Sequence, residues 1–391
     1  MTGRFAFPKE AVLDVRFLGL HSGGLRKPRS PDGLAYDFHL ARNALFHATP
    51  ALQLHPGDTV LVPAYVCRTA VQPFLARGIR CEYYRVGTDC RPDPEDLQRR
   101  LSPAVRALLV VHYFGFPQPV RWLRQLCDER GLRLIEDCAH VLTGSAEGAV
   151  LGSSGDASVF SWRKFLPVND GATLFLNRGA ACDAPVLARP GLATDMRAAY
   201  NILQAAAAHP ESRFCRWLYG SAAAARRILA RSPRDAEARG HRGSWRDVPP
   251  VGDVHGADFA LDRVQLPISR VSAVLVDHSA VARIREARRR NYALLAAGLR
   301  RIPGVTLLHE ALPEDICPWI LPCFMEGAPQ ALAELRRRGI PAVSWSGVRS
   351  PIRPGEYPEA ELLYEKLLFL PVHQGMREAD IARVLETVAV L

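Results

Sequence analysis

Apolar runs of strand length alternate with helical patterns from about residue 40 to residue 178, and this alternation limits the possible folds more than any other feature. The strand-like runs are DTVLVPA at 58–64, IRCEYYRV at 79–86, RALLVVHYFG at 106–115 and LRLIEDCAH at 132–140. Because the helical patterns between them have the length of crossover connections, we predict a mainly parallel sheet covered by helices on both faces. In such sheets, ligands bind beyond the carboxyl ends of the strands.

The length of 391 residues predicts more than one domain. We assign residues 1–264 to a large domain with an N-terminal arm at 1–37 and a helical and loop excursion at 190–255. Residues 265–391 then form a bridging helix and a smaller C-terminal α+β domain. The apolar spacing within 268–302 indicates that the bridge is one long helix.

Composition indicates a soluble protein, because 48% of the residues are hydrophobic and 23% are charged. The nine cysteines form no C-x-x-C pair, so we expect reduced thiols, no metal site and a cytoplasmic location. The N-terminus lacks the apolar core of a signal peptide, and no run of 18 apolar residues predicts a membrane span.

The net charge of +10 comes mainly from arginine, as in the run RIREARRRN at 283–291. Such a run could bind nucleic acid, but no nucleic-acid-binding motif lies beside it. The run falls on an apparent amphipathic helix, which favours a solvated helix face. An excess of arginine also suits an anionic small molecule such as a nucleotide diphosphate, and we prefer that interpretation to a nucleic-acid partner.

Lys164 stands inside the apolar stretch VFSWRKFLPVNDGATLFLN at 159–177. A buried ammonium is costly, so this lysine either extends its charge outward to water or is kept neutral as a nucleophile. Asp137 follows an apolar strand, where it could cap the next helix or hold a positively charged ring nitrogen, as pyridoxal phosphate (PLP) requires. His140, three residues later, could lie near the same ligand or be a hydrogen-bonded structural residue.

A second group of residues predicts an anion site. Arg42 and Asn43 open a predicted helix, whose free backbone N–H groups bind anions. Ser161, just before Lys164, could add a hydroxyl group, although these residues could also serve only as caps. The chain order is a helix start, then Asp137, then Ser161 and Lys164. Together they supply a phosphate cradle, a ring-nitrogen anchor and an amine for a Schiff base.

Several segments resemble the motifs of one enzyme family. LIEDCAH is similar to the ViEDaAqa segment of the DegT/DnrJ/StrS group of sugar aminotransferases, which are PLP-dependent enzymes of fold type I. HPGDTVLVPAYVCRTA, GSSGDASVFSW and KFLPVNDGA resemble three further segments of that group, and the last carries its Schiff-base lysine. The resemblance covers residues 38–178 well and residues 265–391 more loosely.

The resemblance implies an α/β fold of type I, with a large, mainly parallel, seven-stranded sheet domain and a smaller C-terminal α+β domain. It implies that Lys164 forms the Schiff base and moves the substrate proton, that Asp137 holds the pyridinium nitrogen, and that His140 lies near the ring hydroxyl. The residues implied for the phosphate are Ser161 and the amides of Arg42 and Asn43.

The sequence departs from the family at three points. Ser161 and Lys164 are three residues apart where the family has five, so the turn between them is shorter. Cys67 replaces the aromatic residue that covers the cofactor ring, so Tyr65 or Tyr113 would have to supply that ring, or it is missing. Gln265 stands where the family has an Asn that reaches the phosphate of a neighbouring subunit.

The resemblance implies an aminotransferase that moves an amino group from a donor such as glutamate to a keto-sugar, which is nucleotide-linked in most of the family. It also implies a homodimer whose active sites draw on both subunits. One alternative is a PLP-binding regulator or scaffold without turnover. Another is a PLP-dependent sugar dehydratase, against which Lys164 counts because those enzymes carry His at this position.

Overall fold

A large sheet occupies the first half of the chain. The computed structural model describes residues 5–19, 24–27, 32–178, 185–207, 215–221 and 259–391. The first nine strands are β1 (Leu34–Phe38), β2 (Thr59–Pro63), β3 (Arg80–Tyr84), β4 (Val105–Val111), β5 (Arg133–Cys138), β6 (Ser145–Ala146), β7 (Ala149–Val150), β8 (Ala157–Ser161) and β9 (Ala172–Leu176). Seven of them form one sheet in the order β1-β9-β8-β5-β4-β2-β3, and β6 pairs with β7 in a short hairpin.

The pairing of the strands confirms the prediction of a mainly parallel sheet. Parallel pairs join β3 to β2, β2 to β4, β4 to β5 and β5 to β8. The pairs of β8 with β9 and of β9 with β1 are antiparallel. Every residue of β2 and β8 is buried, and β4 and β5 each have one residue that is not. Strands buried on both faces require helices on both sides of the sheet.

The predicted crossover helices are present. They are α1 (Ala41–Ala51), α2 (Arg68–Ala76), α3 (Pro94–Arg100) and α4 (Val120–Arg130). Asp93 begins α3 by accepting hydrogen bonds from two backbone amides of its first turn, and α4 ends at Gly131 in the left-handed conformation. Within the predicted excursion, α5 (Leu192–Ala207) and residues 215–221 are helical, whereas 222–255 lies outside the described residues.

The bridge to the C-terminal region consists of two helices, so the prediction of one long helix over 268–302 was wrong. These helices are α6 (Arg270–Asp277) and α7 (Val281–Leu299). The N-terminal arm bonds to the backbone at the break between them. The Gly19 amide donates to the His278 carbonyl at 2.6 Å, and the Ala280 amide donates to the Phe17 carbonyl at 2.9 Å. These hydrogen bonds occupy backbone groups that a continuous helix would need.

The C-terminal region is a smaller α+β unit, as predicted. Its sheet contains β10 (Val305–Leu307), β11 (Ile320–Met325) and β12 (Leu367–Pro371), all antiparallel. Its helices are α8 (Ala328–Arg337), α9 (Pro358–Lys366) and α10 (Glu378–Val388). The domain boundary between residues 264 and 265 stays a prediction. In the described ranges, every helix is too short or too polar to span a bilayer.

The small unit packs over the carboxyl ends of the strands in the large sheet. The Trp319 amide, just before β11, donates to the Phe114 carbonyl at 2.9 Å in the loop after β4. From α9, the Tyr364 hydroxyl group accepts a hydrogen bond from the Val66 amide at 2.9 Å, beyond the end of β2. The space between the two units therefore lies where ligands bind in parallel sheets.

Gly115 is a point of close approach between the units. Its φ angle is 94°, and a Cβ atom there would lie 2.6 Å from the Cys317 carbonyl oxygen. We expect Gly115→Ala to lower the melting temperature by several degrees. Both the strain of the positive φ angle and the clash with the Cys317 carbonyl oxygen would destabilise the fold. Gly131→Ala is the matched control, since its φ is 63° and nothing lies within 4 Å of the added Cβ. That control should cost only the conformational strain, roughly 1 to 3 kcal/mol. Equal melting temperatures for the two variants would contradict the proposed clash.

Candidate active site

A cavity of about 240 Å³ lies between the two units, at the carboxyl ends of the strands. This reaction cavity is lined by parts of the chain that are far apart in sequence. They are the N-terminal arm, the start of α1, the ends of β5 and β8, and the C-terminal unit. Its polar and aromatic lining includes Lys9, Glu10, Arg42, Cys67, Asp137, His140, Ser161, Arg163, Lys164, Trp319 and Trp345.

Lys164 lies in a single helical turn, Trp162–Lys164, directly after β8. The turn is anchored by the buried Trp162, whose Nε1 donates to the Thr173 hydroxyl group at 2.9 Å. Burial lowers the pKa of Lys164 to about 8, although the negative charge of Asp137 opposes the shift. The Nζ atom lies 4.6 Å from the ring centroid of Trp319. The lysine is therefore kept inside the cavity, and a large fraction of it is neutral near pH 8.

Asp137 lies at the end of β5, and the element that follows is the strand β6 rather than a helix that its side chain could cap. Its Oδ1 atom accepts a hydrogen bond from the Ala139 amide at 2.9 Å, which orients the following segment. Its Oδ2 atom accepts no hydrogen bond from the described residues, although the side chain lines the cavity. Burial raises the pKa of Asp137, and the positive charge of Lys164 opposes that rise. One carboxylate oxygen is thus held in place and the other is available to a ligand.

A buried hydrogen-bonded network surrounds Glu136, the residue before Asp137. The Nε2 atom of His112 lies 2.8 Å from a carboxylate oxygen of Glu136, and both side chains are fully buried. The Gln118 amide donates to Nδ1 of His112, so the imidazole proton lies on Nε2 and points at Glu136. Cys138 brings a third potential metal ligand within 4.8 Å of these two. Because Glu136 also accepts the amides of Gly152 and Gly155, we interpret this set as a structural support.

His140 is held in one neutral form at the wall of the cavity. Burial, together with the positive charge of Lys164, holds the pKa of His140 well below its usual range. Its Nδ1 atom accepts a hydrogen bond from the Phe114 amide at 3.2 Å, so the proton of the neutral ring lies on Nε2. The ring stacks on Trp319 with a centroid distance of 4.1 Å. His140 can therefore donate one hydrogen bond to a ligand.

The start of α1 and the end of β8 form a second polar region. The residue before α1, Leu40, provides no side-chain cap, so the first amides of this helix are not bonded by one. Arg42 and Ser161 both line the cavity. Asn43 does not line it: the Asn43 amide donates to the Leu40 carbonyl at 3.0 Å and its side chain to the Arg263 carbonyl at 2.8 Å. The Asn43 amide and side chain are thus bonded within the protein, and the phosphate contact predicted for this residue stays a prediction.

The aromatic walls differ from the sequence-based expectation. Tyr65 and Tyr113 are buried outside the lining, and the Tyr113 hydroxyl group donates to the Tyr65 carbonyl. Trp319 and Trp345 line the cavity instead. Sequence reasoning missed them because both come from the C-terminal unit.

Cys67 does line the cavity, with its Sγ atom 3.1 Å from the Thr69 hydroxyl group. Gln265 is exposed, and its predicted role at a neighbouring subunit stays a prediction.

The arginine-rich run on α7 is not simply a solvated face, which corrects the interpretation from the sequence. Arg288 is 1% exposed. Its guanidinium group donates to Gln374 Oε1 and to the Trp319 carbonyl, both at 2.9 Å. It also reaches the carbonyls of Lys164 and Phe165 at 3.4 Å. This arginine therefore connects the turn that carries Lys164 to the loop that carries Trp319.

The N-terminal arm reaches the cavity, which sequence reasoning missed because the arm shows no periodic pattern. The Ala6 amide donates to the Gly339 carbonyl at 2.8 Å, and Nε2 of His373 lies 2.8 Å from the Pro8 carbonyl oxygen. Phe7 is buried in the core. These contacts hold Lys9 and Glu10 at the wall of the cavity.

The architecture of the described residues is that of fold type I, the fold of a large class of PLP-dependent enzymes. Residues 40–200 match the model of the DegT/DnrJ/EryC1/StrS aminotransferase family. The resemblance indicated by the sequence motifs is thereby confirmed for this segment of the chain.

Individual relatives support the assignment over different lengths. The chain is 34% identical to GDP-perosamine synthase of Vibrio cholerae over 120 residues, which is 30% of this chain and only 33% of that protein. It is 24% identical to dTDP-3-amino-3,4,6-trideoxy-alpha-D-glucose transaminase of Streptomyces venezuelae, over 88% of this chain and 79% of that protein. The crystal structure of the aminotransferase TlmJ from Streptoalloteichus hindustanus matches with a TM-score of 0.62 at 20% identity, covering 91% of this chain and 85% of that one.

The lowered pKa of Lys164 predicts how this amine reacts. Labelling by an amine-acylating reagent, followed by peptide mass spectrometry, should reach half its maximal rate for Lys164 near pH 8. In the unfolded chain the labelling rate of Lys164 should depend on pH as for an ordinary lysine, with a pKa of about 10.4. Asp137→Asn should move the profile to lower pH, because Asp137 stabilises the charged amine. The exposed Asp128→Asn is the control. An unchanged profile in Asp137→Asn would show that the two side chains are not coupled.

The contacts of Arg288 predict a large structural role. Arg288→Met leaves the carbonyls of Trp319 and Phe165 without this donor, so we expect the free energy of unfolding to fall by roughly 3 kcal/mol or more. Arg290→Met, on the exposed face of the same helix, should change it by less than about 0.5 kcal/mol. Denaturant unfolding followed by tryptophan fluorescence measures both values. Similar losses in the two variants would contradict the connecting role of Arg288.

Proposed function

We propose that the protein is a PLP-dependent aminotransferase that transfers an amino group from an amino acid to a keto-sugar. The observation that carries the proposal is a desolvated amine with a pKa of about 8 in one cavity with a carboxylate that has an unbonded oxygen. Amines with a pKa near neutrality are suited both to attack on an aldehyde and to proton transfer.

The polar groups of the cavity fit the parts of PLP. Lys164 offers the amine for its aldehyde, and Oδ2 of Asp137 would accept a hydrogen bond from its protonated ring nitrogen. His140 would donate its Nε2 proton to an oxygen of the ring. Arg42, Ser161 and the first amides of α1 would hold the phosphate. These groups come from separate structural elements that meet at one cavity, which supports a ligand with several distinct polar parts.

PLP, when bound, supplies a carbonyl that takes up the amino group and a ring that withdraws electrons from the substrate carbon. Within this site, Nζ of Lys164 would remove the proton from the substrate carbon of the donor. In the second half-reaction it would return a proton to the carbon of the acceptor. Asp137 would keep the ring nitrogen protonated, and Trp319 and Trp345 would exclude water from the amine.

The relatives and a second cavity support a sugar acceptor. A relative from Saccharopolyspora spinosa is named dTDP-4-dehydro-2,3,6-trideoxy-D-glucose 4-aminotransferase, with 33% identity over 135 residues. A cavity of about 870 Å³ adjoins the reaction cavity, and the two share Lys9, Glu10 and Arg163 in their walls. A substrate with a small reacting ring and a larger remainder, such as a nucleotide-linked keto-sugar, would suit this arrangement. We propose glutamate as the donor and a homodimer as the assembly.

The function is tested by the two half-reactions. The purified protein with PLP should absorb visible light, and L-glutamate should remove that absorbance in the absence of an acceptor. A nucleotide-linked 4-keto-sugar, added next, should restore it. Lys164→Ala should slow both changes by at least about 100-fold, because it lacks the proton-transferring amine. Lys366→Ala, an exposed lysine on α9, is the matched control and should behave as the wild type.

Two outcomes would contradict the proposal. Equal rates in the wild type and Lys164→Ala would exclude Lys164 as the catalytic amine. A visible absorbance band that no amino acid alters, across a panel including glutamate and glutamine, would instead support a PLP-binding regulator without turnover.

A further inference from the structure

Arg163 lies between Ser161 and Lys164, in the short turn that follows β8. Its side chain lines the reaction cavity. Among the hydrogen bonds and ion pairs of the described residues, none involves the Arg163 side chain. An arginine offers five N–H donors in a fixed plane, and a partly buried one without an acceptor is costly. The proton transfer proposed for Lys164 gives Arg163 no role.

Arg42 is a second arginine that lines the cavity without a bonded acceptor among the described residues. It lies in the first turn of α1, lines the same cavity, and makes no ion pair or side-chain hydrogen bond within the described ranges. Both arginines line the same cavity. Burial, and after it the positive charge of Arg163, lower the pKa of Arg42. Two positive charges in one cavity repel each other, and an anion bound between them offsets that repulsion.

The neutral donors next to these arginines are the Ser161 hydroxyl group and the uncapped start of α1. Ser161 is 9% exposed, lines the cavity, and its hydroxyl group makes no hydrogen bond with any described residue. The start of α1 has no side-chain cap, and helix amides at this end carry partial positive charge. Two guanidinium groups and one hydroxyl group that have no hydrogen-bond acceptor among the described residues thus share one cavity with an uncapped helix start. This set matches the oxygens of a phosphate group.

Glu10 is the acid that could neutralise Arg163 instead. It lines the same cavity, but it forms no ion pair in the described part of the chain. Burial raises the pKa of the Glu10 carboxyl group, although Arg163 and Lys9 oppose that rise. The position of Glu10 is set by the arm, through Phe7 in the core and the bond at Pro8, rather than by contact with Arg163.

We infer that Arg163 is a phosphate-binding residue, which with Arg42 and Ser161 forms a two-arginine clamp for the phosphate of PLP. The inference rests on the proposed function. Arg163 directly precedes Lys164, whose amine would bond the same cofactor. The clamp therefore holds the cofactor at its phosphate and at its aldehyde through neighbouring residues of one turn.

The comparison of PLP with pyridoxal tests this role, because pyridoxal has the same aldehyde and ring but no phosphate. Dissociation constants of both compounds are measured by equilibrium dialysis against the wild type and Arg163→Gln. We expect Arg163→Gln to weaken PLP binding by about 10- to 100-fold, as for the loss of hydrogen bonds to a charged group. Its affinity for pyridoxal should change by less than about twofold. Arg353→Gln, an exposed arginine outside the cavity, is the matched control and should change neither value.

Two further variants test whether Arg163 merely balances the charge of Glu10. Arg163→Lys should recover part of the PLP affinity, since it retains the charge but loses the planar donor group. If Arg163 only balanced Glu10, the effect of Arg163→Gln would disappear in a Glu10→Gln background, whereas we expect it to persist. Circular dichroism and thermal melting of each variant check that the fold is retained.

The outcomes also separate this inference from the proposed function. Equal weakening of PLP and pyridoxal would show that Arg163 acts through Lys164, and the clamp would be rejected. Unchanged binding of both compounds would also reject the clamp. Arg163 would then be available to bind a carboxylate of the substrate instead. If the wild type binds PLP no better than Lys164→Ala does, the proposed function itself fails. If it binds PLP through Lys164 and the arginine variants have no effect, only the clamp fails.

Discussion

The desolvation of one amine next to one carboxylate is the constraint on which the site depends. Lys164 and Asp137 lie at the carboxyl ends of β8 and β5, which are neighbouring parallel strands. Burial favours the neutral form of each group, and their mutual attraction favours the charged forms. The result is an amine whose pKa is about 8. The parallel pairing of two adjacent strands thus sets the chemistry of the cavity, because it fixes which side chains face each other.

The C-terminal unit and the N-terminal arm complete what the sheet begins. Strand ends alone would leave Lys164 open to water, and an exposed lysine has an ordinary pKa. Trp319 and Trp345 close the cavity from the small unit, and Glu10 closes it from the arm. Arg288 connects the two units, because its guanidinium group donates hydrogen bonds to the backbone carbonyls of Trp319 and Lys164. The desolvation that lowers the pKa of Lys164 is therefore a property of the assembled chain.

The large sheet and its helices were predicted well, for physical reasons that act locally. Strands buried on both faces must be continuous apolar runs, and crossover helices must separate them, so both are visible in the sequence. Asp137, His140, Ser161 and Lys164 lie at the ends of such runs and do line the cavity. Tyr65 and Asn43 lie outside the lining, because other aromatic rings surround that of Tyr65 and the Asn43 side chain bonds to the Arg263 carbonyl. The break between α6 and α7 was missed because it depends on hydrogen bonds from the distant arm.

The sequence by itself determined the order of strands and helices, the mainly parallel sheet and the positions of Lys164 and Asp137 at strand ends. Periodicity and chain order carry this information, since both follow from the local geometry of the backbone. Only the tertiary structure decided that Trp319, Arg163 and Glu10 line the cavity and that Arg288 is buried. These residues come from four separate parts of the chain, and their burial and contacts depend on groups that meet only after folding.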